Sequence, residues 1–300
     1  MNKTTLFLAG LILSTQGVNA AIPEQQAKLF GEAGQFTKGI EGPAVDASGQ
    51  LFAVNYQQQG TIGQIDINGN ASLYLTLPEG STGNGIRFDK SGFMYVADYS
   101  GHNVLKIDPK DKSIRVHAHN EAMNQPNDIA ITDNGVIYAS DPNWKENSGQ
   151  LWMVAPDGKT TLLEKSMGTT NGVEVSPDNK RLYVNESVQR NVWVYDIQPD
   201  NTLANKRLFY KFDDHGMDGM RTDEIGNLYI ARYGAGLVVV LSPKGELIEQ
   251  IKLTGQHPTN VAFGGKDGKQ VFVTLQQTQV VNTFRSQFAG RSYNLLHSNE

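Results

Sequence analysis

One phrase occurs six times along the sequence, and this internal repeat restricts the possible folds more than any other feature. Each copy opens with a polar residue, usually followed by glycine, and continues through a short apolar stretch, a turn and an alternating strand. The opening residues are Glu41, Asn84, Asn127, Asn171, Asp218 and Asn260. Successive copies begin 42 to 47 residues apart, so the repeat extends through most of the 300-residue chain.

The local pattern within each copy is typical of β-strands. Segments such as "FMYVAD" (93–98) and "RLYVNE" (181–186) alternate inward and outward side chains with a period of two. Gly, Asp and Asn in "DASGQ" and "DKSGF" supply tight turns. Most copies add a further strand, such as "HNVLKIDP" or "RNVWVYDI", and no convincing amphipathic helix follows residue 20.

Repeats of about 40–50 residues that each contain four short strands describe a β-propeller. We therefore predict an all-β fold, a six-bladed β-propeller with four antiparallel strands per blade, as a single domain over residues 21–300. Residues 22–37 and 277–296 are expected to close the ring by adding outer strands. A solenoid is disfavoured, because the chain lacks helical periodicity and the period is too long for one coil of a β-helix.

Residues 1–20 have the features of a secretory signal peptide. Lys3 gives a positive start, residues 6–13 are mostly apolar, and Val18-Asn19-Ala20 places small residues where a signal peptidase cuts. We expect cleavage near Ala20 and a periplasmic or secreted bacterial protein; the alternative is a buried N-terminal helix. The apolar stretch is too short to span a bilayer. The lack of cysteine is compatible with an exported protein without disulfides.

Composition limits the possible partners. Hydrophobic residues make up 39% of the chain and charged residues 19%, which is typical of a globular protein and not of a disordered one. The net charge of −5 and the lack of a basic cluster disfavour binding to nucleic acid. Beyond residue 20 no apolar segment is long enough for a membrane span. We expect a small-molecule substrate and a monomer or weak dimer.

In a propeller the innermost strands line a central channel, so the six opening residues of the repeat should meet at one axis. All six are carboxylates or amides. One interpretation is structural, because Asx-Gly pairs favour turns; Glu41 is a poor turn former and breaks that pattern. The other is a metal site, because carboxylate and amide oxygens suit a hard divalent cation such as Ca²⁺. Without thiols a structural zinc site is disfavoured.

Several motifs together resemble a known family, the senescence marker protein (regucalcin), gluconolactonase and luciferin-regenerating enzyme group of six-bladed propellers. They are "EGPAVD" (41–46), "NQPNDIAI" (124–131), "SDP" (140–142), "NGVEVSPDNKRLYV" (171–184), "DGMRTDEIGNLYIA" (218–231) and "PTNVAFGG" (258–265). The resemblance runs from about Gly39 to the C-terminus. The motif "NQPND" followed by "YASDP" resembles the bacterial gluconolactonase branch in particular.

The resemblance implies one divalent cation at the channel mouth, commonly Ca²⁺, with Zn²⁺, Mg²⁺ or Mn²⁺ as alternatives. Its implied ligands are Glu41, Asn171 and Asp218, and Asn127 either reaches the metal or holds the substrate. The implied reaction is metal-assisted hydrolysis of a sugar lactone. Glu41 and Asp218 are then the catalytic carboxylates, with Asp218 favoured as the general base. A carboxylate on a cation is a weak base, so a metal-bound hydroxide is the alternative.

The candidate substrate contacts are polar or aromatic residues expected near the channel mouth. They are Asn84, Asn127, Asn260, Asp141 and Trp144. The amides can hydrogen-bond to hydroxyl groups, and Trp144 can stack on a sugar ring or, alternatively, pack between blades.

For two histidines and one asparagine, the sequence leaves open whether they lie at the channel mouth. His215 and His257 precede repeat openings and are either at the rim of the same face or solvated loop residues; Asn143 follows a blade-three strand next to Trp144. The sequence contains no nucleophile motif, phosphate loop or dinucleotide fingerprint.

The chain departs from the family pattern near the expected substrate. Ala44-Val45 stand where many members have a large aromatic residue, and Met217 stands where many have proline. Gln125 occupies the position of an arginine that binds a sugar acid lactone in the animal members. These differences leave the implied metal ligands intact. They keep two alternatives open: an ester, other-lactone or phosphotriester hydrolase on the same metal platform, and a non-catalytic propeller that binds a partner.

Overall fold

The structure is a computed structural model that describes residues 22–298 together with Met1. Apart from Met1, the signal peptide predicted for residues 1–20 lies outside the described residues. Within the described range, no helix is both long and apolar enough to cross a membrane.

Residues 22–298 form six sheets, one for each copy of the repeat, and the predicted six-bladed propeller is confirmed. Two short strands precede the first blade: β1 (Glu24–Gln26) and β2 (Lys28–Phe30). Blade one contains β3 (Phe36–Val45), β4 (Leu51–Tyr56), β5 (Thr61–Ile65) and β6 (Ala71–Thr76). Blade two contains β7 (Gly83–Phe88), β8 (Met94–Asp98), β9 (Asn103–Ile107) and β10 (Ile114–His119). Blade three contains β11 (Ile129–Ile131), β12 (Ile137–Asn143), β13 (Ser148–Val154) and β14 (Thr160–Met167).

The second half of the chain continues in the same way. Blade four contains β15 (Thr170–Val175), β16 (Arg181–Glu186), β17 (Asn191–Ile197) and β18 (Leu203–Lys211). Blade five contains β19 (Met220–Thr222), β20 (Leu228–Arg232), β21 (Leu237–Leu241) and β22 (Leu247–Lys252). Blade six begins with β23 (Pro258–Gly264), β24 (Gln270–Leu275) and β25 (Val280–Arg285). Within each blade the successive strands pair antiparallel, and the first strand of every blade lies innermost.

The N-terminal segment closes the ring. β2 pairs antiparallel with β25 and becomes the fourth strand of blade six, while β1 pairs parallel with β22 as a fifth strand of blade five. The expectation that residues 22–37 add outer strands is therefore confirmed. Residues 277–296 behave differently, because they supply the third strand of blade six and then a helix.

The helix α1 (Arg291–His297) contradicts the expectation that no helix follows residue 20. It packs against the ends of the innermost strands, where Arg291 and Leu295 are buried. These strand ends lie opposite the ends that carry the repeat's opening residues, so α1 closes the far end of the channel. Seven residues make only two turns, which is too short for a helical period to stand out in the sequence.

The hydrophobic core is divided among the contacts between blades. In the described part of the chain, six clusters of buried apolar side chains each join two adjacent sheets. For example, Tyr229 of blade five meets Phe263 of blade six edge to face, with ring centroids 5.0 Å apart. Because each sheet is covered on both faces by its neighbours, the ring is held rigidly around its axis.

Candidate metal-binding active site

A cavity of about 750 Å³ opens at the channel end opposite α1, and residues of all six blades line it. The structure brings five of the six opening residues of the repeat to this cavity: Glu41, Asn84, Asn127, Asn171 and Asp218. These five include every residue proposed from the sequence as a metal ligand.

The innermost strands are interrupted where the opening residues stand. The pairing register of β3 with β4 shifts on both sides of Glu41, and that of β15 with β16 shifts across residues 170–173, which include Asn171. In blade five, β19 starts two residues after Asp218. A bulge re-aims a side chain and leaves part of the backbone outside the ladder. The repeat thereby turns polar side chains toward the axis from strands that are otherwise buried.

The glycine that follows most opening residues permits close contact between blades. A Cβ on Gly172 would overlap the main-chain oxygen of Asp218 in the next blade, and a Cβ on Gly42 would overlap that of Asn84. Gly42 also has a φ of +57°, which other residues rarely adopt. The glycine after the opening residue therefore has a packing cause, and in blades one, two and four the two residues lie within a strand instead of a turn.

We call the five opening residues that line the cavity its floor. The two carboxyl groups of the floor, those of Glu41 and Asp218, are hard to ionise together without a compensating charge. Loss of bulk water raises the pKa of Glu41 to about 7, and the negative charge of Asp128 contributes. The pKa of Asp218 lies well above its usual value, first because of burial and then because of the nearby charges of Glu41 and Asp128. A cation bound between the carboxylates would offset both effects.

Three amide oxygens on the same floor lack hydrogen-bond partners. The Oδ1 atoms of Asn84, Asn127 and Asn171 are buried, and within residues 22–298 nothing donates to them. An unpaired buried carbonyl oxygen costs about 1–3 kcal/mol, so three at one place call for a common ligand. The backbone of Asn127 is held from both sides, since its N–H donates to Ser140 at 2.9 Å and its oxygen accepts from Gly85 at 2.8 Å.

The chemistry of this donor set fits a hard divalent cation. Two carboxyl groups and three unpaired amide oxygens belong to residues that line the same cavity, and Ca²⁺ takes ligands of these types and completes its shell with water. Across residues 22–298, no group of three or more His, Asp or Glu side chains is placed to hold a metal. A cation at this floor would therefore depend on the amides as much as on Glu41 and Asp218.

Two of the predicted substrate contacts lie outside the cavity lining. Asn260 is completely buried, and its Oδ1 accepts from Arg221 at 3.0 Å and from the N–H of Val261 at 2.9 Å. Asp141 is also completely buried and accepts from the N–H groups of Asn124 and Gln125. The carboxyl group of Asp141 is thus committed to protein partners, whereas Nδ2 of Asn260 is buried and has no partner among residues 22–298. A direct contact of either residue with substrate stays a prediction.

Asp141 still bears on the site through the loop that it holds. It also accepts from Trp152 Nε1 at 3.0 Å, and burial raises its pKa. The loop anchored at Asn124 and Gln125 leads directly to Asn127 on the cavity floor.

Of the two histidines, His215 lines the cavity, whereas His257 stacks on Tyr233 with centroids 4.7 Å apart. Asn143 lines a neighbouring groove that shares Trp144 with the main cavity.

The cavity wall comes from a second set of equivalent positions that sequence reasoning largely missed. In every blade, a four-residue turn joins the second and third strands. The first residue of this turn lines the cavity in five blades: Tyr99, Trp144, Ser187, Tyr233 and Gln276. Only Trp144 was predicted. The others were detectable as the residue that immediately follows the second strand of each copy.

A buried network of charges lies beneath the floor, and the sequence analysis did not identify it. Arg87 Nη1 is 3.1 Å from Asp128, and Arg221 lies 3.7 Å from Asp128 and 3.9 Å from Glu174. Arg291 of α1 reaches Glu174 at 3.9 Å. Burial and the charge of Arg87 lower the pKa of Arg221 to about 10. The available signal was a charged residue at the fourth position of copies two, four and five.

Comparison with known proteins places the chain among related sequences. Residues 40–277 match the family model described as the SMP-30/gluconolactonase/LRE-like region. Gluconolactonase of Zymomonas mobilis is 29% identical over 222 residues, which cover 66% of this chain and 62% of that protein. Diisopropyl-fluorophosphatase of Loligo vulgaris is 25% identical over 295 residues, which cover 88% of this chain and 94% of that protein.

Among solved structures, the calcium-binding protein regucalcin from Agrobacterium tumefaciens superposes with a TM-score of 0.77 at 20% identity. The superposition covers 91% of this chain and 97% of that one. At this level of identity the likeness establishes a shared fold, and the residues of the floor carry any argument about chemistry.

Proposed function

The chain belongs to the SMP-30/gluconolactonase/LRE-like family, and from that premise we propose that it is an exported, metal-dependent hydrolase that opens a sugar lactone. One observation carries the proposal: three amide oxygens without a partner among residues 22–298 and two carboxyl groups with raised pKa values share one cavity floor. The family resemblance alone would be compatible with several ester substrates.

We assign the cation to Glu41, Asn171 and Asp218, with Asn127 as a further ligand or a substrate contact, and Asn84 presents the same kind of oxygen. When bound, a divalent cation stabilises the oxyanion that forms as water attacks the lactone carbonyl. Ca²⁺ is the proposed ion because all candidate donors are oxygens.

Asp218 is the proposed general base, because its backbone is fixed and its carboxyl group lies at the cavity beside two other proposed ligands, Asn171 and Glu41. The N–H of Asp218 donates to Ala231 at 2.9 Å, and its carbonyl accepts from Asn185 at 2.7 Å. Glu41 Oε2 already accepts from the N–H of Gly42. Asp218 can therefore take a proton from a water molecule on the cavity side.

The wall residues would orient the lactone ring above this floor. Trp144 and Tyr99 belong to adjacent equivalent turns, and both aromatic residues line the cavity. Apolar ring faces can cover the C–H face of a sugar, while the floor amides bind its hydroxyl groups.

A phosphotriester substrate is the second candidate, and one observation favours it. The alignment with diisopropyl-fluorophosphatase covers 94% of that protein, a larger share than the 62% covered for gluconolactonase. The same cation would stabilise charge on a phosphoryl oxygen as well as on a carbonyl oxygen.

The test compares the two substrate classes on mature protein that has been stripped with EDTA. D-Glucono-1,5-lactone hydrolysis is followed by acid release, with and without Ca²⁺, Zn²⁺, Mg²⁺ or Mn²⁺, beside an aryl ester and a phosphotriester. Turnover that returns with metal and exceeds spontaneous ring opening supports the lactonase. No lactone turnover by folded, metal-binding protein overturns it, and turnover of the phosphotriester alone selects the second candidate.

Export rests on the sequence of residues 1–20 and needs its own test. Fractionation of bacteria that express the full chain should place a protein that starts near Ala21 in the periplasm or the medium. A chain that keeps Met1 and stays in the cytoplasm would contradict export without affecting the proposed chemistry.

A further inference from the structure

We propose that Arg190 forms an anion-binding subsite in the wall of the cavity, so that the preferred lactone carries a carboxylate or phosphate group away from its ester bond. The inference rests on the proposed lactonase function and adds a substrate class to it. It starts from an unusual distribution of charge. Apart from Glu41 and Asp218 on the floor, the ionisable side chains that give the cavity lining its charge are basic: Lys38, Arg190 and, when protonated, His215.

This distribution does not follow from the composition of the chain. The whole sequence has a net charge of −5, whereas the cavity lining outside the floor contains the basic residues Lys38 and Arg190. A divalent cation would neutralise the two floor carboxylates, and both basic side chains would still face the cavity. A neutral lactone leaves these charges without a counterpart, while an anionic group on the substrate supplies one.

The guanidinium of Arg190 has hydrogen-bonding capacity that the protein does not use. Its Nε is buried, and within residues 22–298 it has no acceptor. Glu186, at the other end of the same turn, is occupied: its Oε1 accepts from the N–H of Gly168 at 2.8 Å and its Oε2 accepts from Asn191 at 2.9 Å. An oxyanion is the natural complement of a half-buried guanidinium whose Nε–H is unpaired among residues 22–298.

The repeat shows that the backbone gives no reason for arginine at this position. In every blade the last residue of the four-residue turn has a positive φ. These residues are Gly60 (76°), His102 (56°), Asn147 (50°), Arg190 (63°), Gly236 (70°) and Gln279 (54°). The left-handed conformation favours glycine and asparagine. His102 and Gln279 show that other residues are tolerated at this position, and the turn gives no reason for arginine in particular.

Two pairs of lactones with matched rings test the proposal. One pair is D-glucono-1,4-lactone and D-glucaro-1,4-lactone, which adds a carboxylate; the other is D-glucono-1,5-lactone and its 6-phosphate. We expect kcat/KM to be at least about tenfold higher for a charged member, since a charge-assisted hydrogen bond contributes about 1.5–3 kcal/mol. Comparison of the two pairs identifies which anion the subsite takes. The preference should weaken as salt is added.

The variants use the equivalence of the turns. Arg190→Asn installs the residue that blade three has at this position, so the turn is retained or improved and folding is preserved. In this variant the charged-to-neutral ratio of kcat/KM should fall about tenfold, mainly through KM. Arg190→Lys should keep part of the preference. Gln279→Asn changes the equivalent residue of blade six, outside the cavity lining, and should leave the ratio unchanged.

The outcomes separate this inference from the proposed function. Turnover of lactones with a charged-to-neutral ratio near one, or with the same ratio in Arg190→Asn, overturns the subsite and leaves the lactonase standing. If no lactone is hydrolysed, calorimetric binding of D-glucarate and D-gluconate to the metal-loaded protein still decides it. Tighter binding of the dicarboxylate that is lost in Arg190→Asn supports the subsite, and equal binding in both proteins overturns it.

Discussion

Asp218 and Gly172 stand so close across the boundary between blades four and five that a Cβ on Gly172 would overlap the main-chain oxygen of Asp218. The same Cβ would lie 2.7 Å from Asn185 Nδ2, which donates to that oxygen at 2.7 Å. The residue after one proposed ligand thus fixes the distance to the next. This relationship makes the geometry of the floor depend on glycine as much as on the ligands.

Gly172→Ala should therefore push Asp218 away from Asn171 and weaken metal binding. Overpacking of this kind costs about 1–3 kcal/mol of stability, and we expect metal affinity to fall beyond what that loss explains. Calorimetric titration with Ca²⁺ measures the affinity. Gly255→Ala is the matched control, because a Cβ there meets its nearest neighbours at 3.6 Å. Equal affinities in the two variants would contradict the role given to Gly172.

Replacement of either floor carboxylate should separate stability from activity. In metal-free protein, Asp218→Asn or Glu41→Gln removes one of two carboxyl groups that resist ionising together, so the melting temperature should stay the same or rise. The stabilisation given by metal, about 2.7 kcal/mol at a hundredfold excess over Kd, should disappear together with lactone hydrolysis. Full activity in both variants would refute the metal-site assignment.

The raised pKa of Glu41 predicts a pH dependence of the metal-free protein. The carboxyl group titrates near 4.5 in the unfolded chain and near 7 in the fold. Between these values the folded protein binds more protons than the unfolded chain, so stability falls as the pH rises through this window. Denaturant unfolding at several pH values in EDTA measures the effect. Saturating Ca²⁺ should flatten the profile, and Glu41→Gln should reduce its slope, since the raised pKa of Asp218 contributes a slope of the same sign. A slope unchanged by both would exclude Glu41 as a source.

The fold was predictable because the repeat determines both the number of blades and the residue that each blade sends to the axis. Glu41, Asn84, Asn127, Asn171 and Asp218 all reach the cavity, as expected from their common position in the phrase. Asn260 shares that position and does not line the cavity, because Arg221 binds its amide oxygen from below. The repeat thus predicts the backbone position from which each side chain projects. Contacts with neighbouring residues determine whether that side chain reaches the cavity.

The remaining differences arise from contacts between residues distant in sequence. Asp141 was expected after a strand, at the mouth, yet it lies within β12 and its carboxyl group accepts from the N–H groups of Asn124 and Gln125. The helix α1 is stabilised by Glu174, more than a hundred residues earlier, through Arg291. No local period marks either contact. The positive φ shared by the six turns could not be predicted from the sequence either, since Arg190 and Gln279 are not typical turn residues.

Trp144 lines the cavity as part of the ring of equivalent turns, which predicts a role in substrate binding. Trp144→Ala should raise KM for lactones about tenfold with a smaller change in kcat, because the lost aromatic contact is about 1 kcal/mol or slightly more. Trp193→Ala is the control. Trp193 lies on the outer part of blade four, where Lys206 Nζ is 4.6 Å from the centroid of the indole ring. The loss of Trp193 should affect stability alone. A KM that moves equally in both variants would remove Trp144 from the site.

Arg291 joins α1 to the buried charges beneath the floor. Replacement of Arg291 should therefore destabilise the propeller without changing substrate binding. Its side chain is 7% exposed and lies 3.9 Å from Glu174 and 2.8 Å from Asp133. Arg291→Ala leaves Glu174 with one cation fewer in a buried network, and breaking such a pair costs about 3–5 kcal/mol. Urea unfolding measures the loss, and KM at a temperature where the variant is folded should match the unaltered protein. Asp133→Asn is the matched control: Asp133 is 57% exposed, so this change should cost less than about 1 kcal/mol. Equal losses in the two variants would mean that the exposed partner, and not the buried network, holds α1 against the channel.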